Sequence, residues 1–108
     1  MSPEALRQKI EKEIGENGEP TNFQVDLKKR LLPRPIQKIY ENALYEPDWP
    51  DDVPDNTPLL LLWLVLREGP AGEGSAIVYN EKSKLFGLAR GKTLIGFYGS
   101  FRDALAAM

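Results

Sequence analysis

An unbroken run of eight apolar residues, Leu59–Leu66, constrains the fold of this chain more than any other feature. It is far shorter than the roughly 20 residues that cross a bilayer, so we expect it in a protein core. A buried strand and a buried helix both fit such a run, and periodicity does not separate them. Thr57 as N-cap, Pro58 at the first helical position and Gly69 after the run favour a helix. A strand is the alternative.

The first helix is predicted from its caps and its spacing. Ser2 can cap it, Pro3 suits its first turn, and Gly15 can end it. An apolar stripe with a four-residue spacing lies between these ends, formed by Leu6, Ile10 and Ile14.

Two more helices are predicted before the apolar run. Thr21 or Asn22 would cap one of them, and its apolar face would be Phe23, Leu27 and Leu31. The alternation of Phe23, Val25 and Leu27 leaves a short strand open. Pro35 would open the other helix, whose amphipathic pattern is Ile36, Ile39, Tyr40, Ala43 and Leu44.

The last third of the chain is predicted to be an antiparallel meander. Its three segments are Ala76–Asn80, Leu85–Arg90 and Thr93–Gly99. We expect Gly91, in the second turn, to adopt a positive φ. Ser100, with Asp103 three residues later, would cap a final helix that runs to Met108.

These elements predict a single α+β domain over residues 1–108. Three or four helices would pack on a small antiparallel three-stranded sheet, which becomes four-stranded if residues 59–66 form a strand. Both faces of each β segment carry apolar residues. In a sheet with one solvent-exposed face, apolar and polar residues alternate along each strand instead. We therefore expect both faces to be covered, either by the chain's own helices or by a second copy of the chain. A homodimer is thus one of two alternatives.

The chain contains no histidine and no cysteine, which limits the metal sites and catalytic groups that it can form. It excludes zinc sites built from these residues, and Ser-His or Cys-His nucleophile pairs within the chain. No residue is assigned a catalytic, cofactor-binding or metal-binding role. An enzyme that uses other side chains, or a small-ligand-binding domain, is an alternative to a binding protein.

Three motif-like segments fall short of known sites. Gly87–Thr93 has three residues, not four, between its first glycine and the Gly-Lys pair of a phosphate loop. The aspartates at 48–55 do not match a calcium-binding loop. Gly96–Gly99 is similar to the aromatic strand of RNA-recognition domains, and Lys82, Lys84, Arg90 and Lys92 lie near it. The leading basic residue and the strand order of that family are missing, and the net charge is −2, so nucleic acid is not the expected partner. A sheet that binds single-stranded nucleic acid is a further alternative function.

The most biased part of the chain is acidic: residues 46–73 hold seven acids and one base. An exposed tryptophan ringed by carboxylates suits an interface with a basic protein. The candidate partner-binding residues are Tyr45, Asp48, Trp49, Asp51, Asp52 and Asp55. The alternative is that Trp49 folds back to plug the domain's own core.

We therefore predict a non-enzymatic protein–protein interaction domain. A small acidic inhibitor or immunity-type protein that binds a basic partner is one class of this kind. The N-terminus lacks the basic start and apolar stretch of a secretory signal, so a cytoplasmic location away from the membrane is expected.

Overall fold

The computed structural model describes residues 2–15, 31–50, 56–67 and 74–107. The described elements are two helices and five strands. In chain order they are α1 (Pro3–Gly15), β1 (Leu31–Asn42), β2 (Leu59–Arg67), β3 (Ser75–Asn80), β4 (Leu85–Arg90), β5 (Thr93–Tyr98) and α2 (Phe101–Ala106).

The five strands form one closed barrel in the order β1-β2-β3-β4-β5. Each consecutive pair is antiparallel. A meander with an odd number of strands brings its first and last strands together in the same direction, so closure has to be parallel. The closing ladder is short, with only Glu41 opposite Thr93 and Asn42 opposite Leu94.

The predicted α+β fold, with three or four helices on a three-stranded sheet, is wrong. The described fold is mostly β, with five strands and two short helices. The helix predicted from Pro35 to Leu44 is mainly strand β1. Its helical spacing is coincidental, because Tyr40 is buried while Ile39 is 64% exposed. Ile and Tyr favour strands, and pairing with β2, which is distant in sequence, decides the outcome.

The helix preferred for Leu59–Leu66 is also wrong, since these residues lie in strand β2. The run lacks polar alternation because most of the strand is covered on both sides. Leu60, Leu62 and Leu64 face the interior of the barrel, whereas Trp63 and Val65 pack beneath the helices. A strand buried on both faces is continuously apolar.

Two apolar cores lie on either side of the sheet. The inner core fills the barrel and consists of Tyr40, Leu60, Leu62, Leu64, Val78, Ala89 and Leu94. The outer core lies between the sheet and the two helices and consists of Leu6, Ile10, Trp63, Val65, Leu66, Ile77, Tyr79, Phe86, Phe101 and Ala104. Closure of the sheet covers one face and the chain's own helices cover the other, so this coverage does not require a second copy.

The elements predicted from local signals are confirmed within a residue or two. The Ala5 N–H donates to Ser2 Oγ at 3.1 Å at the start of α1. Gly91 has a φ of 62°, and strands β3 to β5 match the three predicted segments. Ser100 accepts from the Asp103 N–H and caps α2, which ends at Ala106 rather than Met108. The helix predicted from residue 21 falls mainly outside the described residues, and Leu31 belongs to β1.

A carboxylate on α1 ties the two helices together. Glu13 accepts hydrogen bonds from the backbone N–H groups of Phe101 and Arg102, at 3.4 and 3.2 Å. These N–H groups are at the start of α2, where no partner exists within the helix. A negative charge at this end also interacts favourably with the helix dipole. The same contact fixes α2 over the outer core.

A substitution at Gly87 tests how tightly the inner core is packed around that residue. A Cβ at this position would lie 2.6 Å from Leu94 Cδ1 and 3.0 Å from Val78 Cγ2. We expect Gly87→Ala to lower the free energy of unfolding by about 1–3 kcal/mol through overpacking. Gly99→Ala is the control, because a Cβ there meets nothing within 4 Å. Urea unfolding measures both variants, and equal stabilities would contradict a filled interior.

The two buried tyrosines make stability sensitive to high pH. Burial raises the pKa of Tyr40 above its ordinary value of 10.0, with Arg67 opposing in part. Burial, reinforced by Glu81, raises the pKa of Tyr79. Above pH 10 the unfolded tyrosines lose protons that the folded protein retains, so the free energy of unfolding falls as pH rises. We expect this fall to be shallower in Tyr40→Phe and Tyr79→Phe, as measured by urea unfolding between pH 8 and pH 11. An unchanged slope in both variants would contradict the prediction.

Candidate functional site

The end of the β1/β2 hairpin that carries the connecting loop exposes apolar side chains. Among the described strands, β3 pairs with β2 only from Trp63 onward, so the first part of β2 pairs with β1 alone. Ile39 and Leu61 are direct cross-strand partners, and Leu59 is opposite Glu41. Ile39 is 64% exposed, and Leu59 and Leu61 are each 59% exposed.

These residues share one face because side chains alternate along a strand. Their neighbours Tyr40, Leu60 and Leu62 point into the inner core. We call this outward surface the hairpin face, and it consists of Gln37, Ile39, Glu41, Leu59 and Leu61. Opposite residues on paired strands have Cβ atoms about 5 Å apart, so the aliphatic side chains form one continuous patch. Contiguous apolar patches on a protein surface mark interaction sites.

The hairpin face is a continuation of a surface that is otherwise covered. Trp63 follows Leu61 on the same side of β2, and it is only 8% exposed because it packs in the outer core with Leu6 and Ile10 of α1. The Trp63 indole N–H also donates to Glu81 Oε2 at 3.3 Å. The outer core therefore ends between Trp63 and Leu61, and the apolar residues of β2 continue beyond it into solvent.

The loop between β1 and β2 is attached beside this face through Asn42. This buried side chain donates to the Thr57 carbonyl and accepts from the Leu44 N–H, both at 3.0 Å. The backbone N–H of Asn42 donates to the Pro58 carbonyl at 2.9 Å. Both ends of the loop are thus held together next to Leu59.

A second amide bridges the loop itself. Asn56 Nδ2 donates to the Trp49 carbonyl at 3.0 Å and to the Pro50 carbonyl at 3.2 Å. The Trp49 N–H donates to the Glu46 carbonyl at 3.1 Å and closes a turn. These bonds hold the first part of the loop close to its last residues, at the end of the hairpin.

The structure places three of the six predicted partner-binding residues in this loop. Tyr45 and Trp49 are half-buried, and Asp48 is exposed. The other three, Asp51, Asp52 and Asp55, lie outside the described residues. Trp49 is not a member of the inner or the outer core. The role predicted for these six residues stays a prediction.

Sequence reasoning missed the hairpin face. The sequence pattern predicts that Ile39 belongs to the apolar stripe of a helix and that Leu59 and Leu61 belong to a buried run. Their exposure depends on where α1 and β3 stop covering the hairpin, and the β1–β2 register that pairs Ile39 with Leu61 joins residues distant in sequence. One usable signal was present: Leu59 and Leu61 are nearest to the acidic loop, where burial is expected to end.

The basic residues near β4 do not assemble an aromatic platform. Lys82 and Lys84 lie in the turn before this strand, whereas Arg90 and Lys92 lie at its other end. Phe86 is buried in the outer core, and Phe97 packs against the inner core. Stacking of nucleic-acid bases needs exposed rings, so these aromatic residues serve mainly as core.

Neither metal ligands nor a known relative identifies the site. Within the described ranges, no three acidic side chains come together as a metal site would require. No described helix has the length and apolar character needed to span a bilayer. Comparisons with protein-family models, curated proteins and solved structures each find no match to this chain. The inference of function therefore rests on the geometry of the surface.

The two tryptophans provide a matched test of what Trp49 does. Trp63 lies in the outer core, so Trp63→Ala should cost about 3–5 kcal/mol through the cavity it leaves. Trp49 is half-buried and outside both cores, so we expect Trp49→Ala to cost about 1 kcal/mol. Denaturant unfolding of the two variants measures the difference. A cost for Trp49→Ala equal to that of Trp63→Ala would show that Trp49 plugs the domain.

Proposed function

We propose that this chain is a non-enzymatic protein–protein interaction domain that binds a partner carrying basic residues. The observation that carries the proposal is the exposed cross-strand pair Ile39 and Leu61, extended by Leu59. Three large aliphatic side chains in solvent on adjacent strands gain free energy when a partner removes them from water. Such a patch would form the centre of the interface.

The charges around the patch support a basic partner. Glu41 lies on the hairpin face, and Glu46 and Asp48 are exposed on the loop at its end. In the sequence, residues 46–58 also contain Asp51, Asp52 and Asp55 and no base. An acidic rim accelerates association with a basic surface and disfavours acidic partners. A small acidic inhibitor or immunity-type protein is one class with such a surface.

The packing of the barrel supports a surface function over a ligand-binding interior. Seven described side chains fill the inner core. Gly87 lies against Leu94 and Val78 so closely that even a methyl group would collide. Small-ligand sites are concave cavities of about 300–1,000 Å³, and the close contacts around Gly87 disfavour such a cavity at that point of the inner core.

The double variant Ile39→Ser/Leu61→Ser tests the proposal. Both side chains are mostly exposed, so each change should alter the free energy of unfolding by only about 0.5 kcal/mol. Affinity for the partner should fall by about tenfold or more, because the apolar centre of the interface is lost. The partner is captured from native lysate by photocrosslinking from position 61 and identified, and the affinity of the purified pair is then measured by calorimetry.

Two control variants separate loss of binding from loss of fold. Ile95→Ser removes an isoleucine that is also exposed but lies on β5, and it should bind as the unmodified chain does. Leu62→Ser replaces a residue buried in the inner core and should unfold the domain. A folded Ile39→Ser/Leu61→Ser variant with unchanged affinity would reject the hairpin face as the binding site.

A further inference from the structure

The backbone of β1 has one side that no described strand occupies. The Asn42 N–H donates to the Pro58 carbonyl of the opposite chain segment, so even-numbered residues of the regular part of β1 direct their backbone groups toward β2. The Glu41 and Ala43 N–H groups donate to Lys92 and Leu94 on the other side. Odd-numbered residues therefore direct their N–H and C=O groups away from β2.

This second side is paired only at the end of β1. The ladder with β5 consists of Glu41 opposite Thr93 and Asn42 opposite Leu94. Among the described residues, no backbone group bonds to the outward N–H and C=O groups of Gln37 and Ile39. Pro35 marks the other limit, because the regular register with β2 begins only at Ile36 and Pro35 has no N–H to leave unpaired. The open edge thus runs from Ile36 to Tyr40.

We infer that this open edge receives an extended segment of the partner, which adds a short strand beside β1. The inference rests on the proposed function and names the form of the partner's contact. Strand addition obtains affinity from backbone hydrogen bonds and specificity from alternate side chains. Every second side chain of a segment on this edge would lie on the same face of the sheet as Ile39. Aliphatic side chains at these positions would extend the apolar patch of the hairpin face.

A second copy of β1 does not fit this edge. Antiparallel pairing of two β1 strands around a twofold axis would place one copy's strand alongside Glu41 of the other. That place is already taken by Thr93, whose strand is bonded there. A linear segment that spans only Ile36–Tyr40 avoids β5, so the occupant is a segment of a different protein.

The charges near the edge specify the side chains of that segment. On the outward face Ile39 is followed by Glu41, and the exposed Glu46 and Asp48 lie beyond it on the loop. Lys38 alternates to the opposite face. The occupant should therefore carry an aliphatic residue beside Ile39 on the side that shares the hairpin face. Its basic residues should lie just beyond the paired stretch, where they leave β5 in place and reach toward Glu41 and the loop, and its residues on the other side should be uncharged.

Hydrogen exchange of the free protein tests whether the edge is open. The N–H groups of Gln37 and Ile39 should exchange much faster than those of Lys38 and Tyr40, which face β2 in the same strand. Equal protection of the odd and even amides would show that the edge is already covered, and would overturn the inference.

A peptide of the stated chemistry tests occupancy by NMR titration. The probe is the capped peptide Thr-Lys-Thr-Val-Thr-Lys-Thr, which presents lysine and valine on one face. It should slow exchange at Gln37 and Ile39 and shift their resonances. The matched peptide with glutamate in place of lysine should bind about tenfold more weakly or not at all. No shift at these amides up to millimolar probe, or equal binding of both peptides, would overturn the inference.

The variant Gln37→Pro distinguishes binding through the open backbone edge from binding through the side chains of the hairpin face. It removes one outward N–H without touching the ladder with β2, whereas Gln37→Ala keeps that N–H and removes only an exposed side chain. Gln37→Pro should remain folded and bind the probe and the native partner about tenfold more weakly than Gln37→Ala does, because both variants lack the glutamine side chain and differ in the outward N–H. If the partner is lost on Ile39→Ser/Leu61→Ser but unaffected by Gln37→Pro, the proposed function stands and strand addition is rejected. If neither change affects the partner, both are rejected.

Discussion

Burial of β2 on both of its faces holds the other elements in place. Leu60, Leu62 and Leu64 enter the inner core, and Trp63 and Val65 enter the outer core. Because β2 contributes to both cores, the sheet has to close on one side of this strand and the helices have to pack on the other. Glu13 completes the arrangement by joining α1 to the start of α2.

The candidate site lies at the point along β2 where the strand is no longer buried on both faces. Leu59 and Leu61 belong to the same strand, but the outer core ends at Trp63 and β3 pairs with β2 only from Trp63 onward. The two leucines therefore remain in solvent opposite Glu41 and Ile39. The parallel closure has a related consequence. Because β5 pairs with only the last two residues of β1, the backbone edge from Ile36 to Tyr40 stays open among the described residues. An apolar face and an open edge thus meet at the same hairpin.

Local signals were enough to predict part of the fold. The caps at Ser2 and Ser100 and the positive φ of Gly91 depend on a few neighbouring residues, and each is confirmed. Strands β3 to β5 are short and joined by tight turns, so their pairing is local as well. The prediction was wrong for β1 and β2, which pair across a long loop. Their apolar spacing fits a helix and a strand alike, and propensity is a weak guide where tertiary pairing competes.

The sequence by itself determined that most of the run Leu59–Leu66 contributes to a core, that the last third is a meander, and that histidine and cysteine chemistry is excluded. It also determined that the loop after residue 45 is acidic. Only the tertiary structure decided that the apolar run is a strand, that the sheet closes, and that Ile39, Leu59 and Leu61 are left in solvent. The physical reason is that the apolar character of a side chain shows that its burial is favourable, but residues distant in sequence decide whether anything covers it.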